Sequence, residues 1–264
     1  MSLAAGIAGV GVLGPGLAGW AAATPVLAGR AAHAPAPLIP PAPALLPATE
    51  RRRTGPSVRL ALAVAAEAVQ DSGLPPEELD SVFASSNGEP GVIVSILEAL
   101  HAPDGAISPT QFHNSVHNAA AGYWGIAAGS HRPSVSLGGH DAVFATGLMQ
   151  AMAQVAAEAR PVLLVAHDVP MPAPLDALRG TREPFALALV LTPRPGPRGV
   201  LALDFAAAGE GAEEPPLPPG LAALRADNPV ARALPLLAAM AAGRAARLSL
   251  PLPEEAVLRL AYAP

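Results

Sequence analysis

The stretch FHNSVHNAAAGYW, Phe112 to Trp124, sets His113 and His117 four residues apart. In a helix that spacing places both imidazoles on one face. Ser108-Pro109-Thr110 just ahead supplies a helix start signal, and small residues run on to Gly129, so one helix is expected over about 108–129. HExxH zinc helices share the histidine spacing. Here no Glu follows His113, and His101, His131, His140 and His167 offer no obvious third ligand, so no metal site is expected. Asn114 and Asn118, each beside a histidine, suit a hydrogen-bonded helix face packed near an interface or pocket.

On the C-terminal side, PSVSL (133–137) reads as a strand, DAVFATGLMQAMAQVAAEA (141–159) as a helix and RPVLLVAHD (160–168) as a strand. PFALALVLTP (184–193) and VLALDFAA (200–207) read as two adjacent strands. On the N-terminal side lie a helix at 91–101, a strand at 81–86 and a helix at 57–72 that Gly73 and Pro75 terminate. AGIAGVGV (5–12) is a buried strand, and the Pro-rich segment 33–53 an extended surface excursion. Helices alternating with short apolar strands define an α/β domain with a largely buried sheet. That domain is placed at 1–207. A shorter extension, 208–264, holds a linker (GEGAEEPPLPPG), one helix (NPVARALPLLAAMAAG) and two candidate strands (RLSLPL and VLRLAYA).

Composition removes several functions. Hydrophobic residues make up 51%, which excludes a disordered chain, while aromatics at 3% force a core of Ala, Leu and Val. All sixteen basic residues are Arg and are scattered, and the net charge is −5, which argues against a nucleic-acid surface. The one cluster, Arg51-Arg52-Arg53, leads into an apolar helix. With no cysteine, disulfides, thiolate metal sites and thiol nucleophiles are all absent. The apolar N-terminus lacks the leading positive charge of a signal peptide and carries Gly6, Gly9, Gly11, Gly14, Pro15, Gly16 and Gly19. It reads as a strand and turn, with no membrane span, in a cytoplasmic protein.

Two motifs have plain readings. Gly9, Gly11 and Gly14 match GxGxxG after a strand, but Pro15 falls where a phosphate-binding helix would begin and the later acidic residue is missing. A tight strand-to-turn connection is expected instead, and no cofactor. The turn SLGGHDAVFATG has no Ser at its point, unlike the GxSxG elbow of α/β-hydrolases. Asp141 is placed to cap the helix that follows.

The order SPTQFHNSVHNAAAGYWGIAAG, PSVSL, a turn opening an Ala-rich helix, VLLVAHD and FALALVLTP resembles the β-ketoacyl synthases over about residues 4–195. GVGVLGPGL, SVRLALAVAAEAV and SVFASSNGE fit the same pattern. The chain looks closest to short ketoacyl-synthase-like N-terminal domain proteins of aryl-polyene and xanthomonadin-type pathways, which resemble chain-length factors. The resemblance implies a thiolase-like layered α/β fold whose N-terminal half is complete and whose C-terminal half is truncated. It implies that the nucleophilic Cys position of such synthases falls on Asp141, or on His140 if the alignment slips by one. The two later histidines and the lysine of a condensing site are missing as well, since no His follows His167 and the chain has no Lys.

A catalytically inactive subunit is therefore implied, pairing as a heterodimer with an active β-ketoacyl-ACP synthase and meeting acyl carrier protein only indirectly. The resemblance places Ser134, Val135, Ser136 and Leu137 at the junction between subunits, and Phe112, His113, His117 and Asn118 on an interface helix. Tyr123, Trp124 and Phe144 join Phe112 as expected channel-lining or interface residues, with core filling as the competing reading. The alternative function is an independent decarboxylase or thioesterase on acyl-carrier substrates, using His140 and Asp141.

Overall fold

A computed structural model describes residues 2–206, 216–254 and 256–264. Strand β1 (Leu3–Gly14) opens the chain and turns through Pro15-Gly16 into the two-residue β2 (Leu17–Ala18). Helix α1 (Trp20–Leu27) precedes the Pro-rich segment 33–53, which is not extended throughout but holds the short helix α2 (Ala48–Arg51) near its end, and α3 (Pro56–Ser72) follows. Pro56 opens α3 where its missing N–H costs nothing, and Gly73 closes it in the left-handed region (φ 68°). Next come β3 (Asp80–Ala84), α4 (Pro90–His101), α5 (Pro109–Asn114), α6 (Ala119–Ala128) and β4 (Ser134–Leu137). Helix α7 (Val143–Glu158) leads to β5 (Val162–Asp168), β6 (Phe185–Thr192) and β7 (Val200–Ala206). Finally α8 (Leu221–Asp227), α9 (Leu234–Ala242), β8 (Ala246–Pro251) and β9 (Val257–Ala263) complete the chain.

Among the described residues the strands form one sheet in the order β4-β3-β5-β6-β1-β7-β9-β8, with β2 paired to β1. β3 runs parallel to β4 and β5, and every other pairing is antiparallel. β6 and β7, expected as neighbours, are separated by β1, which pairs with β6 over Gly6–Leu13 and with β7 over Leu3–Gly6. The C-terminal strands thus extend the same sheet, and α9 packs into the same core as α1 and α7. Of the linker, residues 209–215 lie outside the described residues.

Strand alternation sorts the core into two layers. Phe185, Leu187, Leu189 and Leu191 of β6 face α7, α1 and α9, whereas Ala186, Ala188 and Val190 face α3 and α6. Small residues on the α3 side let that helix come very close. A Cβ on Gly9 would lie 2.1 Å from the Ala68 carbonyl oxygen, and one on Gly11 2.2 Å from that of Val64. Those two glycines serve helix–strand contact, and the turn lies beyond them at Pro15-Gly16.

Between its pairings with β7, which end at Gly6, and with β2, which begin at Leu13, β1 leaves the outer N–H groups of Val10 and Val12 to two carboxylates on α3. Asp71 Oδ2 accepts from Val10 N–H (3.0 Å) and Glu67 Oε2 from Val12 N–H (2.9 Å). The second Glu67 oxygen accepts from Trp20 N–H (2.5 Å), closing the start of α1. Burial pushes the Glu67 pKa up, against the lowering effect of those two donors.

Candidate functional site

The turn between β4 and α7 runs Gly138-Gly139 and then a 3₁₀ turn, His140–Ala142. A Cβ on Gly139 would lie 2.8 Å from Val143 Cα, so only glycine lets the turn close this tightly. His140 stands at its point with φ 47°, a left-handed conformation that costs a non-glycine residue roughly 1–2 kcal/mol. Asp141 does not cap α7. Its residue belongs to the 3₁₀ turn, and Ala142, at the N-cap, makes no side-chain bond. The Asp141 carboxylate turns instead to two guanidinium groups, Arg179 Nη2 at 3.1 Å and Arg232 Nη2 at 3.4 Å. His140 Nδ1 lies 3.4 Å from Asp141 Oδ1, and His140 Nε2 accepts from Arg179 Nη1.

Arg179, Arg225 and Arg232 come from three separate segments to line one cavity of about 290 Å³ beside this turn, with Thr181 and Asn228 among its polar walls. Asn87 positions Arg179: its Oδ1 accepts from Arg179 Nε (2.9 Å), and its Nδ2 donates to Thr181 Oγ1 (3.0 Å). Asn87 is held in turn by Asp168, fully buried at the end of β5. Asp168 Oδ1 accepts from Ser85 Oγ (2.8 Å), Ser86 N–H (2.9 Å) and Asn87 N–H (3.0 Å). Burial raises the Asp168 pKa, and those donors oppose the rise. Next door, His167 Nδ1 pairs with Ser57 Oγ at 3.0 Å; burial, assisted by the charge of nearby His117, pushes its pKa down to about 3. Glu89, also raised by burial, accepts from the Ser57 and Val58 N–H groups and so closes the start of α3.

The helix expected over 108–129 is broken at Ser115–Asn118 into α5 and α6, so His113 and His117 share no helical face. Tertiary bonds outweigh local helix preference there. His117 bridges Ser136 Oγ and the Ser85 carbonyl oxygen, each at 2.9 Å, and Asn114 Nδ2 donates to the Arg53 carbonyl oxygen (2.8 Å). Asn114 Oδ1 accepts from Tyr123 O–H, whose ring meets His113 edge-on. Asn118 precedes α6 without a side-chain cap bond. Tyr123, Trp124 and Phe144 are buried inside the chain's own core. β4 is the outer strand of the sheet, with Ser134 exposed and Val135, Ser136 and Leu137 half-buried. Phe112 on α5 is 67% exposed, Leu97 and Leu100 on α4 are exposed too, and Val116 is exposed in the break beside His117, which bonds Ser136 of β4. Among the described residues, no three potential metal-ligating side chains converge.

Sequence reasoning pointed to the turn, to β4 and to the 112–124 segment, but not to Asn87, Asp168 or the arginines. Asp168 was visible as the one carboxylate ending an apolar run, VLLVAHD. The arginines lie too far apart in sequence for any spacing to connect them.

The match of residues 27–226 to the family described as β-ketoacyl synthase, N-terminal domain, covers most of the chain. The chain belongs to that family. Its thiolase-like fold is shared with a chain from the ketosynthase ApeO in complex with its chain length factor ApeC, from Xenorhabdus doucetiae. That pair aligns at TM-score 0.74 and 23% identity over 98% of this chain and 99% of that one. A chain of the AntDE:AntF assembly, a type II polyketide acyl carrier protein with its ketosynthase, aligns at TM-score 0.74 and 12% identity over 100% and 99%. A β-ketoacyl synthase from Burkholderia phymatum aligns at 0.59 and 17% identity over 92% and 71%. No curated protein sequence matches the chain. No described helix is long and apolar enough to cross a membrane.

Proposed function

We propose that this chain is a non-condensing, chain-length-factor-like subunit that pairs with an active β-ketoacyl-ACP synthase in the cytoplasm, in an aryl-polyene or related polyketide pathway. The observation that carries the reading is the state of the elbow. Where a condensing enzyme needs an acylatable thiolate at a helix start, this chain has no cysteine, and its Asp141 is engaged by Arg179 and Arg232. A carboxylate carries no thiol and can hold no thioester. The open edge of β4 beside exposed Phe112 and Val116 supports a partner docking there, since such an edge left bare invites uncontrolled association. The acyl carrier protein then meets the partner rather than this acidic chain.

The test is co-expression with a ketosynthase encoded beside it, followed by size-exclusion chromatography and intact-complex mass. A one-to-one complex whose condensing activity needs both chains and survives Asp141→Ala is expected. A monodisperse chain that ignores the ketosynthase sinks the proposal. The strained His140 beside Asp141 in a polar cavity favours one second reading, an independent decarboxylase or thioesterase. That reading requires turnover by the isolated chain, abolished by His140→Ala.

A further inference from the structure

We propose that the cavity beside the β4–α7 turn binds a small oxyanion, a phosphate monoester or a carboxylate, and that Asp141 is the internal anion it displaces. Arg179, Arg225 and Arg232 line this cavity with Asp141 and Asp227. Among the described residues, three arginines and two carboxylates line the cavity, in a chain whose net charge is −5. Planar guanidinium forks match the paired oxygens of phosphate or carboxylate, and they repel cations.

Two of the arginines are positioned without help from Asp141. Arg179 hangs on Asn87 through its Nε, and Asn87 hangs on Asp168. Arg232 belongs to the 3₁₀ turn Pro229–Ala233. Buried Asn228 fixes the start of that turn: its Oδ1 accepts from Val230 N–H (2.8 Å), while its Nδ2 donates to the Asp168 and Glu183 carbonyl oxygens (3.2 and 2.8 Å). Both arms are therefore anchored at one point, the end of β5, and stay in place if the carboxylate leaves. Asp141 is the weaker element. It is half-exposed, belongs to the turn that His140 enters in a strained conformation, and lies 3.1 and 3.4 Å from its partners. A ligand oxyanion can take over both guanidinium contacts as the Asp141 side chain swings to solvent. The site stands whether or not the chain pairs with a ketosynthase.

Isothermal titration of the full chain with inorganic phosphate, and separately with malonate, is the test, with chloride at equal ionic strength as reference. Saturable one-site binding above the chloride response is expected, weakened about tenfold or more by Arg225→Gln and by Arg232→Gln. Asp141→Asn, which keeps the shape and removes the competing charge, tightens binding about fivefold or more. Binding of phosphate alone assigns a phosphate monoester, and of malonate alone a carboxylate. Equal responses to all three anions mean screening only and overturn the proposal, as does binding that Asp141→Asn leaves unchanged or weakens. That variant decides the matter even if an arginine variant fails to fold, which circular dichroism melts reveal.

Discussion

Removing the Asp168 side chain is expected to destabilise the protein by about 2–4 kcal/mol, because one carboxylate organises the loop after β3. Asp168→Ala strips the acceptor from Ser85 Oγ, Ser86 N–H and Asn87 N–H. A buried donor left unsatisfied costs about 1–3 kcal/mol, so three set an upper limit of roughly 9 kcal/mol. The loss is smaller for three reasons. Ser86 and Asn87 are half-buried and regain some water, the Ser85 hydroxyl can rotate, and the variant no longer desolvates a carboxylate. At about 2–4 °C per kcal/mol, the melting temperature falls by roughly 4–16 °C. Asp168→Asn keeps one acceptor oxygen and costs about 1 kcal/mol at most. The pH dependence separates the two effects. The folded pKa is raised above the ordinary 3.8, so the folded state keeps a proton that the unfolded chain releases, and stability falls as pH rises through that window. Asp168→Asn removes this fall. Urea titrations followed by far-UV circular dichroism between pH 4 and 8 provide the measurement. A loss under about 1 kcal/mol for Asp168→Ala, or an unchanged pH slope for Asp168→Asn, would refute the reasoning.

His167 acts with the opposite sign. Its folded pKa of about 3, against an ordinary 6.5, means that the unfolded chain binds the proton first as pH falls. The stability lost between pH 7 and pH 3 is roughly 4–5 kcal/mol. His167→Gln flattens that limb, and parallel acid titrations of the two proteins would contradict it. Gly11→Ala pushes a methyl into the Val64 carbonyl oxygen and is expected to cost about 3 kcal/mol or more by thermal or urea unfolding. Gly122→Ala, on exposed helix surface with nothing within 4 Å of the added Cβ, is expected to stabilise by about 0.5–1 kcal/mol in the same assay.

Local punctuation made some elements legible and left others hidden. α3 was read within one residue of its bounds because Pro56 and Gly73 mark its ends and its apolar face is continuous. α1 is not expected from the sequence because Gly14, Pro15, Gly16 and Gly19 read as a turn, and the group that closes its start, Glu67, lies on α3. The break between α5 and α6 was invisible for a similar reason: it is made by Ser85, Ser136 and Arg53, none of them local. The placing of β1 between β6 and β7 depends on one long strand pairing on both edges, which no window of sequence displays. The turn between β4 and α7 lies where the sequence places it. The capping role expected of Asp141 does not hold, because the ion pairs that draw it off the helix start come from residues 179 and 232.

The two-layer core gives the protein a pair of built-in optical reporters. Its two tryptophans are both buried, Trp20 in the layer of α1, α7 and α9, and Trp124 in the layer of α3 and α6. The sheet separates them, so Trp20→Phe and Trp124→Phe leave one emitter on each side. Fluorescence decays of those variants would time the loosening of each face independently, and would show whether a partner or an anion rigidifies one before the other.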